Sequence, residues 1–190
     1  MTYCLPEGYR INSNPKFWDD TRMKDEWQRE VYLMAFAIAS SGRVKTVLDV
    51  GCGSGFKTVH YLGTFDTTGS EMEPTLSFLK KTYPQRKWLA PGEVKGKFDL
   101  VICADVIEHV PDPDELCDFI REHAKKHVVI STPDRLREPR WAMGPPSNDS
   151  HVREWAFDEF RDYIGSQFYL RRQIVTNRVQ TTYAAICEAR

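Results

Sequence analysis

Three glycines, Gly51, Gly53 and Gly55, end a short apolar run in the segment VLDVGCGSG and lead into residues with helical spacing. A strand-to-helix turn needs glycine where φ becomes positive and where a ligand must approach the backbone without meeting a Cβ. The free N–H groups of the first helical turn would then face an anionic part of that ligand. Sixteen residues after Gly55 stands Glu71, at the end of the next apolar run, where a carboxylate can accept hydrogen bonds from both hydroxyls of a ribose. The spacing is GxGxG, and Phe56 stands where a dinucleotide-binding GxGxxG would have its third glycine. The bland alternative is a tight turn with Glu71 as a solvated helix cap.

A second segment, ADVIEHVPDPDEL, begins at Ala104. Asp105, Glu108 and His109 lie at i, i+3 and i+4, so on one helical turn all three would point the same way. Two carboxylates and an imidazole suit a hard or borderline divalent ion such as Mg2+ or Mn2+, with His151 of the later HVREW as a fourth ligand. Such an ion would lower the pKa of an acceptor hydroxyl. Alternatively His109 or His151 is itself the general base, or the group is structural. Arg135, Arg137, Arg140 and Arg153 can bind a phosphate of the acceptor through paired hydrogen bonds, or they form a solvated loop face. His60, His123 and His127 are read as surface or capping residues.

The elements that must carry these residues alternate. Strands are predicted at 46–50, 65–70, 88–90, 98–104 and 128–131, and helices at 55–62, 75–83 and 113–124. Near-continuous apolar runs such as LVICA and VVIS indicate a parallel sheet buried on both faces. A helix at 157–164 and strands at 168–175 and 182–187 follow, the last two close enough to form a hairpin with an antiparallel strand at the sheet's edge. Before the sheet, apolar spacing predicts a helix over 23–41, and the aromatic, proline-containing first 22 residues suit a segment strapped onto something. The long stretch from Pro133 to Glu154 reads as a lid or substrate loop.

At 190 residues the chain fits one domain, with a cap and helix at 1–43 and a core at 44–190 that carries the substrate loop 133–155. Its 26 basic and 27 acidic residues leave no basic surplus for general nucleic-acid binding. Five scattered cysteines, with no CxxC, suggest neither a disulfide framework nor a thiolate zinc site. No leader pattern or 18-residue apolar run is present, so a cytoplasmic protein without a membrane span is expected. The oligomeric state is not legible.

With Asp49 on the strand and Glu71 beyond it, the glycine turn resembles the first motif of class I S-adenosylmethionine-dependent methyltransferases, and the resemblance runs from about Val47 onward. It implies an α/β, Rossmann-like fold: a mainly parallel seven-stranded sheet, a C-terminal antiparallel hairpin and helices on both faces. It also implies that Asp49, Gly51, Gly53 and Glu71 hold the amino-acid end and ribose of S-adenosylmethionine, with Cys52, Gly55, Ala104 and Asp105 beside them. Lys57 is a candidate partner for the cofactor carboxylate, and Met72 for the adenine face. No acid follows the third strand, where Leu89, Ala90, Pro91 and Gly92 stand, so backbone groups around Ala90 would reach the adenine. Asp105 to His109 with HVREW resembles the metal-dependent small-RNA 3′-end 2′-O-methyltransferases, apart from Asp105 in place of glutamate. TPDRLREP, GPP and HVREW look like small bacterial methyltransferases that accompany sugar-modifying enzymes. Together these resemblances imply O-methylation of a small molecule or a sugar or glycan precursor. The alternatives are N-methylation, modification of an RNA end, or an idle nucleotide-binding module.

Overall fold

The computed structural model describes residues 3–24, 27–177 and 181–190. The elements run α1 (Arg29–Ala39), β1 (Thr46–Val50), α2 (Phe56–Leu62), β2 (Asp66–Ser70), α3 (Thr75–Thr82), β3 (Lys87–Leu89), β4 (Phe98–Ala104), α4 (Pro113–His123), β5 (Ala124–Pro133), α5 (Phe157–Gln167), β6 (Tyr169–Thr176) and β7 (Thr182–Glu188). The strands form one sheet in the order β3-β2-β1-β4-β5-β7-β6.

The centre of the sheet is apolar on both sides because helices cover both. On β4, Leu100 and Ile102 join Val31 and Ala35 of α1 and Leu62 of α2. Their neighbours Val101 and Cys103 point the other way, toward Ile120 of α4 and Phe160 and Ile164 of α5. This alternation is the period of two that a strand imposes. Helix α4 starts where Asp112 accepts the Asp114 N–H at 2.9 Å and Pro113 fills the first helical position.

Several boundaries differ from expectation. Helix α1 starts at Arg29 and not Met23, since Trp27 has φ +68, a left-handed value that no helix interior accepts; residues 25 and 26 of the predicted helix lie outside the described ones. Strand β5 begins four residues early, at Ala124. Its lysines are tolerated there because Lys125 reaches Asp99 at 3.0 Å and Lys126 reaches Glu188 at 3.9 Å. The hairpin is present, but its antiparallel strand is not at the edge: β7 lies between β5 and β6. Composition explains the exchange, because TYAAICE is small and apolar enough for the interior, whereas YLRRQIVT carries the two arginines that protect an exposed edge.

The stretch after β5 holds two short 3-10 turns, Arg135–Arg137 and Pro139–Trp141. The N-terminal segment is strapped along it, as its composition predicted. Arg10 N–H donates to the Met143 carbonyl at 2.9 Å, Asn12 N–H to Val152 at 2.8 Å, and Lys16 N–H to Asp149 at 2.9 Å. Among the described residues no helix is long and apolar enough to cross a membrane.

Candidate active site

Gly51, Gly53 and Gly55 all have positive φ, at 66°, 53° and 71°. The space each leaves open is used by the protein itself. A Cβ on Gly51 would meet the Val106 side chain, one on Gly53 the Asp20 carboxylate, and one on Gly55 Leu79 and Trp88. Leu79 and Trp88 thus back the turn at Gly55, which is not among the residues lining the cleft. Glu71, at the end of β2, accepts the Gly53 N–H at 2.9 Å and the Met72 N–H at 2.8 Å, which fixes its carboxylate against the turn. Burial pushes its pKa up.

Asp49 corrects an expectation. It is 0% exposed and does not line the cleft, so it cannot touch the amino-acid end of a cofactor directly. Tyr32 Oη donates to its two oxygens at 3.2 and 3.0 Å, and Thr58 Oγ1 donates at 2.5 Å. It braces the turn from beneath, and burial raises its pKa to about 7. Lys57 lines the cleft, where its ammonium donates to the Lys24 carbonyl of the N-terminal strap at 2.9 Å and stands 5.8 Å from the centre of the Tyr32 ring. Cys52 and Ala104 line the cleft beside Gly51. Met72 is 66% exposed at the surface. The Ala90 N–H, expected near adenine, is taken by Glu93 at 2.8 Å.

On the acceptor side the helical turn does not form. Residues 106–109 make a single tight turn, His109 N–H to the Val106 carbonyl at 2.9 Å, preceded by Asp105 at φ +54. With that backbone bend Asp105 stays beside Glu108 but outside the converging group of ligand atoms, and its Oδ1 accepts from Ser131 Oγ at 2.5 Å. Asp105 still lines the cleft, but the group that converges is Glu108, His109 and His151, whose ligand atoms all lie within 4.8 Å of one another. His109 Nδ1 is 3.0 Å from the Ser150 carbonyl, and His151 Nδ1 is 2.5 Å from Glu154 Oε1. Both contacts require the proton on Nδ1 and leave Nε2 as the acceptor, and on His151 that acceptor takes the Asn148 side-chain amide at 3.0 Å. Glu108 Oε2 accepts from Thr132 at 3.2 Å, while its buried Oε1 has no hydrogen-bond partner.

Burial of Glu108 beside Asp105 raises its pKa well above the usual carboxylate range, and burial lowers that of His109 to about 4. Their approach at 3.9 Å is thus a contact of two groups pushed toward neutrality. A dication reverses that preference, because it favours the carboxylate and needs neutral imidazoles. The orphaned oxygen and the His109 Nε2 fit a divalent ion; the His151 Nε2 would join them by displacing the Asn148 amide that meets it at 3.0 Å, and Glu154 would then hold the outer nitrogen of that histidine.

Arg135 and Arg137 border the cleft. Arg135 is already spent on Glu159 and the Ala142 carbonyl. Arg140 lies outside the lining, over the Trp141 ring and paired with Glu138 at 3.2 Å. Arg153 is excluded as a substrate residue: it is 2% exposed and donates to the carbonyls of Val110 and Pro111 at 2.9 and 2.7 Å. His60 stacks on Phe56, and His123, less exposed than expected, meets the Gly96 carbonyl at 2.8 Å. Sequence reasoning missed Asp20, Tyr32, Thr58 and Glu154. Only Glu154 had a signal, its i,i+3 spacing from His151.

A family model described as "Methyltransferase domain" matches residues 20–176. The chain is 33% identical over 114 residues to a ubiquinone biosynthesis O-methyltransferase of Pectobacterium atrosepticum, covering 52% of this chain and 46% of that protein. The chain thus spans about half the length of the curated relatives it matches. Among solved structures it resembles a magnesium protoporphyrin IX methyltransferase from Synechocystis with bound SAH (TM-score 0.66, 16% identity, 86% of this chain and 83% of that one). It also resembles an N-methyltransferase from Bradyrhizobium japonicum in complex with S-adenosylhomocysteine (TM-score 0.65, 16% identity, 90% and 94%). At these identities the structures share the fold alone.

Proposed function

The chain belongs to the methyltransferase-domain family, with the fold of the class I S-adenosylmethionine-dependent enzymes, and on that premise we propose that it methylates a hydroxyl of a small molecule or of a sugar or glycan precursor. Glu108, His109 and His151 would hold a magnesium or manganese ion beside the acceptor oxygen. The observation that carries this reading is the buried, unpartnered Glu108 Oε1 facing two imidazoles. A bound ion would supply the acidity that a sugar or phenol hydroxyl lacks near neutral pH.

The chain's own residues have separate tasks in this scheme. Glu71, held on the Gly53 N–H just behind the cleft lining of Gly51 and Cys52, would receive the ribose, and Asp49 keeps the turn in shape through Tyr32 and Thr58. Ser150 and Glu154 fix the tautomers of His109 and His151. Because the methyl group of a sulfonium is already activated, alignment of acceptor oxygen, methyl carbon and sulfur is the main demand on the cleft. Trp18, Trp27 and Trp141 give its walls flat apolar faces, which suit the C–H face of a sugar or an aromatic ring, and Arg137 at the rim suits a phosphate. Oxygen as the acceptor atom is favoured by the name of the Pectobacterium relative.

The test is methyl transfer measured by product detection across nucleotide sugars, phenols, amines and RNA ends, before and after chelation. Loss of activity with a chelator and recovery with Mg2+ or Mn2+ is expected, together with loss of Mn2+ binding in Glu108→Gln. Full activity after exhaustive chelation overturns the ion and leaves neutral His109 or His151 as the base. Transfer to amines alone overturns the hydroxyl.

A further inference from the structure

Asp20 belongs to the N-terminal strap, yet it lies on the glycine turn. Two hydrogen bonds fix this part of the strap there: Ser54 Oγ donates to the Met23 carbonyl at 2.5 Å, and Lys57 Nζ donates to the Lys24 carbonyl at 2.9 Å. Three residues before the first of those anchors, the Asp20 carboxylate lies directly over Gly53, in the volume where any other residue would have its Cβ. Gly53 is therefore required twice, for its φ of 53° and for the carboxylate above it. Asp20 also lines the cleft, as do Gly51 and Cys52.

The charge in this corner is one-sided. Glu71 holds the other flank of Gly53 through its N–H; burial raises its pKa, and the nearby Asp20 carboxylate adds to that in the same direction. Burial pushes Asp20 itself upward, while Lys57 draws it down. Lys57 is committed to the strap carbonyl, so the corner holds two partly buried acids and one tethered ammonium. Such a site gains from a ligand that brings its own positive charge.

We propose that Asp20 is a cofactor-recognition residue, whose carboxylate receives the α-ammonium of the amino-acid end of S-adenosylmethionine while Glu71 takes the ribose. The proposal rests on the reading of this cleft as the S-adenosylmethionine site. It gives the strap a second function: the segment that covers the acceptor loop also carries a contact to the cofactor, so both ends of the cleft are closed by one stretch of chain.

The experiment compares three ligands by calorimetry on the whole protein and on Asp20→Asn, a near-isosteric change. S-Adenosylmethionine and S-adenosylhomocysteine share the α-ammonium, whereas 5′-methylthioadenosine keeps adenine, ribose and thioether without the amino-acid end. Loss of a charge-assisted hydrogen bond should weaken the first two by about tenfold each and leave 5′-methylthioadenosine unchanged. Asp20→Glu, which keeps the charge, should recover part of the loss. Equal weakening of all three ligands overturns the proposal, since Asp20 then acts only through strap packing. So does a loss confined to S-adenosylmethionine, which would aim the carboxylate at the sulfonium, and so does no loss at all. If the unaltered protein binds none of the three, the cofactor reading itself falls, and the proposal with it.

Discussion

Replacing Asp49 by asparagine should stabilise the ligand-free protein at high pH and not at low pH. Asp49 is fully buried, and its pKa rises from 3.8 to about 7 because burial opposes the charge more than Tyr32, Thr58 and Lys57 favour it. A carboxyl whose folded pKa lies above its unfolded value contributes most stability below the unfolded pKa, and that contribution is lost as pH rises through the folded one. From pH 5 to about pH 7 the unfolded chain is ionised at this position while the native state resists, and above that both ionise and the difference levels off, so by pH 8 the wild type should lose about 3 kcal/mol relative to Asp49→Asn, from the usual ~1.4 kcal/mol per decade. The amide keeps the shape of the carboxylate, and both hydroxyl partners can rotate to suit it. Denaturant unfolding of both proteins at pH 5, 6, 7 and 8 reads the difference of differences, which cancels every other titrating group. In melting temperature it corresponds to roughly 5–10 °C for a domain of this size. Parallel pH curves for the two proteins would refute the reasoning and show that Asp49 ionises freely in its buried position.

Arg153→Met should lower stability by about 2–4 kcal/mol, because the Val110 and Pro111 carbonyls lose their buried donor, while KM for the acceptor stays the same. Thermal unfolding beside steady-state kinetics checks this, and a raised KM at unchanged melting temperature would return Arg153 to the substrate side. Glu154→Gln should weaken Mn2+ binding by roughly 10–100-fold through the loss of the carboxylate that orients His151. Calorimetric titration with Mn2+ reads it, and unchanged affinity would remove Glu154 from the ion site.

Elements whose signal is local were legible in the sequence. Strand β1 was predicted to the residue, because an apolar run stopped by glycine has one physical reading. What failed depended on tertiary context. Whether Asp105 joins Glu108 is decided by a bend at φ +54, and nothing in DVIEH separates a tight turn from a helical one. The role of Asp49 was misplaced because Tyr32 and Thr58, which engage its oxygens, are 17 and 9 residues away and look like ordinary helix positions. Asp20 was invisible for the same reason: its partner is a missing side chain on Gly53. The four arginines carried one composition signal and have four environments, from the buried Arg153 to Arg140 outside the cleft.

The place of β7 has a consequence for synthesis. The strand that fills the gap between β5 and β6 follows both of them in the chain, so it leaves the ribosome after both. Until residues 182–188 emerge, Val128, Val129 and Ile130 have an open edge on the side away from β4, and β6 has no strand to pair with. A nascent chain stalled there exposes an apolar edge of the kind that recruits other chains. Losing the seven residues of β7 by frameshift or proteolysis would therefore open this edge as well as remove Thr182 from the wall of the cleft.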